Sequence, residues 1–411
     1  RSVCCPAGGA HCGRDGGPGD RRHAVVPESK KAGLVMRLSD RIEAVTESKT
    51  VQFTSLLARR AAKGLTVINM AVGEPEHETP LSVVAATKQA LDEGKTRYSP
   101  VQGIKALKSR LSEQIENFDE ENIIVCNGSK QALYAIFQTL CNPLDEVIIP
   151  RPYWVSFSEQ VKLASAVPVF VDTVAHQLDC RAVSEAVTDR TRAIVINSPN
   201  NPTGAVYPFK DLRKIADIAV SRDLFIISDE AYCAFLYDDG LSEGFSSMED
   251  IRDRLIVVRS FSKTYGMTGF RVGYVAAPRE IISGLTRLQS HLTGNVCTFA
   301  QEGALAALSL DPLLMEENRE RLEEKRDLAY GYACRFFDCI KPGGGFYLFP
   351  DVSRYLKEGR TSEGFAAYLL EKKGVAVVPG EVFGIGGHVR ISYAVPEKEL
   401  TAGFKKIASV L

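Results

Sequence analysis

Seven short apolar runs punctuate the middle of the chain: NIIVCN (122–127), EVIIP (146–150), PVFVD (168–172), AIVIN (193–197), LFIISD (224–229), LIVVRS (255–260) and VGYVAA (272–277). Their apolar positions are continuous rather than alternating. That is the pattern of strands buried on both faces, as in a mostly parallel sheet between helices. Helix-like stretches fill most of the gaps, whereas LIVVRS and VGYVAA are joined by a short loop, which predicts an antiparallel strand there. Helical periodicity is also present around 50–62 and 79–93.

After about residue 306 the pattern changes. EENRERLEEKRDLAYGYACRFF predicts a long helix with a charged, solvated face. FYLFP, VAVVP and HVRISYA predict strands, followed by a terminal helix. The expectation is an α/β protein whose large domain holds a mostly parallel seven-stranded sheet, with a smaller α+β domain beside it. The expected division is a disordered tail over 1–35, an N-terminal arm with part of the small domain over 36–78, a large domain over 79–305 and a small domain over 306–411. The tail is rich in Gly, Pro and Arg and lacks any apolar period. Met36 reads as a natural start, and the Arg-rich, acid-poor tail also reads as an organelle-targeting remnant.

Composition narrows the function classes. Of 411 residues, 45% are hydrophobic and 25% charged, with a formal net charge of -1, so the core is large and neither nucleic acid nor a membrane surface is expected as the main partner. No apolar run approaches the about 20 residues needed to span a bilayer. The ten cysteines show no zinc-ligand spacing with a matching second pair. They read as reduced thiols, no metal is expected, and the expected location is the cytoplasm, or a plastid or other organelle if the tail is a targeting remnant.

The candidate chemistry lies where strands stop, as in open α/β sheets generally. Gly128 and Ser129 open a helix after NIIVC, and read either as a cap or as a phosphate seat. Trp154, the only tryptophan, reads either as core or as a stacking platform. Asn201 lies in the SPNNPTG loop, between two prolines that tighten the turn. Asp229 ends a buried strand and needs a cation or donor, such as a protonated pyridine nitrogen. Lys263 follows another buried strand, near Ser260, Ser262 and Arg271. Desolvation and a nearby cation would lower its pKa and favour a nucleophile or base. A lysine, a buried aspartate, an aromatic face, phenol and amide donors and an anion cup together suit pyridoxal phosphate.

These motifs carry a resemblance. SPNNPTGAVY (198–207), SDEAY (228–232), SFSKTYGMTGFRVGY (260–274), NGSKQALY (127–134), PRPYWVSF (150–157), NMAVGEP (69–75) and HVRISYA (388–394) resemble the class I aminotransferases of pyridoxal-phosphate fold type I, from about residue 36 onward. The chain looks most like their bacterial-type aspartate branch, which also occurs in plastids and there includes prephenate-using members.

The resemblance implies that Lys263 binds the cofactor's aldehyde carbon and shuttles the proton, and that Asp229 keeps the ring nitrogen protonated. It implies that Tyr232 and Asn201 bond the phenolic oxygen and that Trp154 stacks on the ring. Ser260, Ser262, Arg271, Gly128 and Ser129 would hold the phosphate. Arg390 would take the substrate α-carboxylate, supported by the backbone of Gly73. Trp154 and Asn201 would also face the substrate. Tyr98 would reach the partner subunit's phosphate in a homodimer with shared active sites. Lys130 and Thr50 would serve an acidic side chain, since LQSHLTGNVCT contains no arginine for that task. Ala231 stands where the branch usually has a larger residue. The implied reaction is ping-pong transfer between aspartate and 2-oxoglutarate. The alternatives are a prephenate, aromatic or broad-specificity aminotransferase and a carbon–sulfur β-lyase of the same fold.

Overall fold

The computed structural model describes residues 38–46, 66–238, 243–356 and 361–411. The tail over 1–35, the helical expectation at 50–62 and Thr50 lie outside the described residues.

All seven apolar runs form strands of one sheet: β1 (Ile123–Cys126), β2 (Glu146–Arg151), β3 (Val167–Asp172), β4 (Thr191–Asn197), β5 (Phe225–Asp229), β6 (Leu255–Ser260) and β7 (Gly273–Ala276). Their spatial order is β1-β7-β6-β5-β4-β2-β3. The pairs among β2 to β6 are parallel. β7 runs against both of its neighbours, as the short loop before it predicts.

The continuous apolar runs are buried because alternate residues feed two cores. Ile148, Ile194, Ile226 and Val257 face one side, together with Leu212 and Ile215 of helix Phe209–Arg222. Val147, Val195, Ile227 and Ile256 face the other, under Leu133, Ile136 and Phe137 of helix Gly128–Leu140. One expectation fails at the edge. PVFVD belongs to the outermost strand, β3, where Val167 is 40% and Phe170 37% exposed. An edge strand has a neighbour on one side only. Phe170 is instead covered by the stacked ring of Tyr153 at 4.9 Å.

Tyr347–Leu348, Val378–Pro379 and Val389–Ser392 form a small antiparallel sheet, and Ile68–Asn69 pairs in parallel with Val375–Ala376. Ile68, Met70, Phe346, Val389 and Phe404 share a core with Leu322 and Ala329 of helix Pro312–Ala333. That helix starts with Asp311 accepting from the Leu313 N–H and Pro312 in its first turn. Its charged sequence is not wholly a solvated face. Arg326 is fully buried, bound through both Nη atoms to Asp238 at 2.6 and 3.0 Å. A guanidinium can be buried this way when its donors are matched by carboxylates.

Where β5 and β6 end, a second, largely buried pair ties them together. Arg259 donates through Nε and Nη2 to Glu230 Oε2 at 2.8 Å, and Ser228 Oγ donates to Glu230 Oε1 at 2.9 Å. Removing one partner leaves a buried charge, so Glu230→Ala is expected to cost about 3–5 kcal/mol. Urea unfolding of the cofactor-free protein checks this, and a loss below about 1 kcal/mol contradicts it.

Candidate active site

The strand ends converge on one cavity of about 160 Å³, lined among others by Gly73, Ser129, Trp154, Asn197, Asn201, Asp229, Tyr232, Lys263, Tyr347, Phe383 and Arg390. It is not the largest. Cavities of about 300 and 420 Å³ flank Cys233 and Arg259, but their acid and base, Glu230 and Arg259, already satisfy each other. Of these cavities, only the smaller one gathers a half-buried amine, a buried carboxylate and a buried guanidinium that remain unpaired with one another among the described residues.

Each group is placed by local structure. β5 delivers Asp229, 3% exposed, whose Oδ1 accepts from the Ala231 N–H at 3.1 Å. No cation partners it among the described residues. Burial pushes its carboxyl up to about 7, the Glu230 charge adds to that, and the Ala231 bond opposes it. β6 ends at Ser260, whose Oγ accepts from the Ser262 N–H at 3.1 Å and caps the short helix Phe261–Thr264 that carries Lys263. Lys263 Nζ donates to the Gly73 carbonyl. Burial draws its pKa down to about 8, helped by Arg390, Arg271 and Lys130 and opposed by Glu74.

The loop after β4 is held by Asn197. Its Oδ1 accepts from the Asn201 N–H at 2.9 Å, and its Nδ2 donates to the Asp229 carbonyl at 3.0 Å. Asn201 Nδ2 donates to Tyr232 Oη at 3.3 Å. Arg390, 4% exposed, donates through Nη1 to Asn201 Oδ1 at 2.9 Å and through Nη2 to the Ala71 carbonyl at 3.0 Å. Its Nε is buried without an acceptor.

The turn at Gly128 is no ordinary cap, because Asn127 makes no side-chain capping bond. Gly128 has φ +77°, and a Cβ there would collide with the Arg271 guanidinium. The open N–H groups of the helix N-terminus, Ser129 and an arginine without a carboxylate partner among the described residues offer the donors and charge that an anion would need. Trp154 is half-buried. Its ring stands perpendicular to that of Phe157, with centroids 5.4 Å apart, and also lines the cavity. Lys130 is exposed, its ammonium 5.1 Å from the Trp154 ring centre, and its pKa is lowered by desolvation and by Arg271. Tyr98 is 97% exposed and does not line the cavity.

Sequence reasoning missed Asn197, Tyr347 and Phe383. Asn197 was legible as the polar last residue of a buried strand. Tyr347 and Phe383 carried no signal, since an aromatic in an apolar stretch reads equally as core.

Residues 66–407 match the family model described as aminotransferase class I and II. The probable aspartate/prephenate aminotransferase of Aquifex aeolicus is 41% identical over 389 residues, covering 91% of this chain and 98% of that one. The aspartate aminotransferase of Bacillus subtilis is 38% identical over 376 residues, 87% of this chain and 95% of its own. The structure of Thermus thermophilus aspartate aminotransferase with maleate superposes with a TM-score of 0.87 at 37% identity, over 92% of this chain and 100% of that one.

Proposed function

This chain belongs to the class I and II aminotransferases, and from that membership we propose that it moves an amino group between aspartate and 2-oxoglutarate, with pyridoxal 5'-phosphate held over the strand ends. The observation that carries the substrate reading is Arg390. Its guanidinium is 4% exposed, meets only neutral oxygens and keeps a buried Nε without an acceptor. A buried guanidinium is costly until a carboxylate completes it, and an amino acid's α-carboxylate is such a partner.

The residues also fit the cofactor. A protonated ring nitrogen supplies the cation that buried Asp229 lacks, and the Gly128 turn, Ser129 and Arg271 suit a phosphate. Ser260 and Ser262 offer further hydroxyls to it, and Trp154 offers its ring face. Bound there, pyridoxal phosphate supplies the electron sink for the substrate's α-carbon. Lys263 would hold the cofactor's aldehyde carbon, and its free amine would be placed to take the proton from the substrate's Cα. Asp229 holds the ring nitrogen's proton in place. Tyr232 and Asn201 orient donors toward the cofactor's phenolic oxygen. Arg390 and the Gly73 backbone align the carboxylate so that the Cα–H bond faces Lys263. The exposure of Tyr98, outside its own cavity, supports a homodimer in which that tyrosine serves the partner's site.

Lys130 supports a dicarboxylic substrate, being a cation near Trp154 with no acidic partner among the described residues. Lys130→Ser is expected to raise KM for aspartate about tenfold, a loss of about 1.4 kcal/mol, with little change for leucine. Steady-state kinetics on both donors tests it, and equal changes would refute the assignment of Lys130. Prephenate is the second reading, favoured by the relatives named aspartate/prephenate aminotransferase. A panel of amino donors with 2-oxoglutarate, oxaloacetate and prephenate as acceptors separates the two. Failure of aspartate with every acceptor would sink the first.

A further inference from the structure

Tyr347 is where the two halves of the site meet. Its short strand pairs with the one that carries Arg390, Tyr347 lying opposite Ser392, and it is 1% exposed. The face of its ring lies 4.2 Å from the Arg390 guanidinium. Its hydroxyl lies 3.2 Å from that of Tyr232.

The direction of that last hydrogen bond follows from the neighbours. Arg390 can only donate, so the Asn201 atom 2.9 Å from its Nη1 is Oδ1, and Nδ2 therefore faces Tyr232 Oη at 3.3 Å. Tyr232 Oη thus already accepts one bond. If Tyr232 is to donate to the cofactor's phenolic oxygen, its single proton is committed, and the proton between the two phenols must come from Tyr347. The alternative would also leave the Tyr347 proton buried, with no acceptor among the described residues, which is costly. Burial holds both phenols protonated.

We propose that Tyr347 is a positioning residue with two separable tasks: its hydroxyl donates to Tyr232 and strengthens Tyr232 as a donor to the cofactor, while its ring holds Arg390 in place for the substrate carboxylate. This rests on the pyridoxal-phosphate reading above. The physical basis is that a phenol accepting a hydrogen bond becomes a better donor itself, and that a guanidinium over an aromatic face is held by the ring's quadrupole.

The test uses protein loaded with pyridoxal phosphate, in four forms: wild type, Tyr232→Phe, Tyr347→Phe and Tyr347→Leu. For each, the visible absorbance of the bound cofactor is titrated with pH and KM for aspartate is measured. A stronger donor favours the form with more negative charge on the phenolic oxygen, which exists above the midpoint. Losing donor strength therefore raises the midpoint. Tyr347→Phe is expected to raise it by about half a unit, less than Tyr232→Phe, with KM changed by less than about twofold. Tyr347→Leu is expected to shift the midpoint equally and to raise KM about tenfold, because it also removes the ring.

An unmoved midpoint in Tyr347→Phe, while Tyr232→Phe shifts, overturns the proposal. So does a KM rise in Tyr347→Phe as large as in Tyr347→Leu. Failure of the underlying reading looks different: the wild type takes up no visible chromophore, or Tyr232→Phe leaves the midpoint in place, and the proposal falls with it. Should Tyr347→Leu fail to fold, the midpoint and KM of Tyr347→Phe still decide.

Discussion

Lys263→Ala is expected to lose transamination by at least about 10⁴-fold, because in the proposed function one amine would serve as both nucleophile and proton carrier. Burial lowers its pKa to about 8, with Arg390, Arg271 and Lys130 adding and Glu74 opposing. At pH 7.5 about a quarter of such amines are neutral, against about one in a thousand for a solvated lysine. The neutral amine is the reactive form. Uptake of pyridoxal phosphate by cofactor-free protein should therefore rise about tenfold per pH unit below pH 8 and level off above it. Borohydride reduction of the loaded wild type, followed by peptide mass spectrometry, should place the label on Lys263 and find none in the variant. Wild-type turnover by Lys263→Ala, or a label on another residue, would overturn the assignment.

Asp229→Asn should separate stability from catalysis. The carboxyl is 3% exposed and raised by burial to about 7, against an ordinary value of 3.8. Its folded-state value lies above the unfolded one, so the folded protein binds an extra proton between about pH 4 and 7. The stability linked to that proton is fully present below about pH 4 and is lost as pH rises through 7. Asparagine does not ionise and avoids the loss. Cofactor-free Asp229→Asn should therefore be more stable than wild type at pH 8, by up to about 4 kcal/mol. The gap should hold above pH 7 and shrink steadily toward pH 4. Its activity with cofactor should fall at least about 10²-fold, since the charge proposed to face the ring nitrogen would be gone. Unfolding at several pH values and kcat measurement check both halves. A variant less stable than wild type at pH 8, or a gap independent of pH, would contradict the account.

Much of the fold was legible because its signals are local. Residues 255–260 form a strand with the bounds of the apolar run LIVVRS, and the short loop after it made β7 antiparallel. The errors came where burial depends on neighbours that the local pattern does not name. PVFVD is as apolar as the other runs, yet β3 lies at the sheet edge and exposes Phe170. Arg326, in a segment that reads as solvated, is fully buried against Asp238.

For the site, residue types and strand ends picked out Lys263, Asp229 and Asn201 as candidates, since nucleophile, buried acid and amide are chemical identities a sequence displays directly, whereas Tyr232 and Arg390 came only with the family resemblance. Which of them touch was decided by packing. Lys263 reaches Gly73 across 190 residues, Arg390 reaches Asn201 across 189, and Tyr347 reaches Tyr232 across 115. Hydrophobic periodicity and turn chemistry act over a few residues and determine elements and where they stop. Hydrogen bonds and charge shifts act over a few ångströms of space, so the bond from Tyr347, the unpaired Arg390 Nε and the raised Asp229 carboxyl exist only once the large sheet and the small antiparallel sheet have packed.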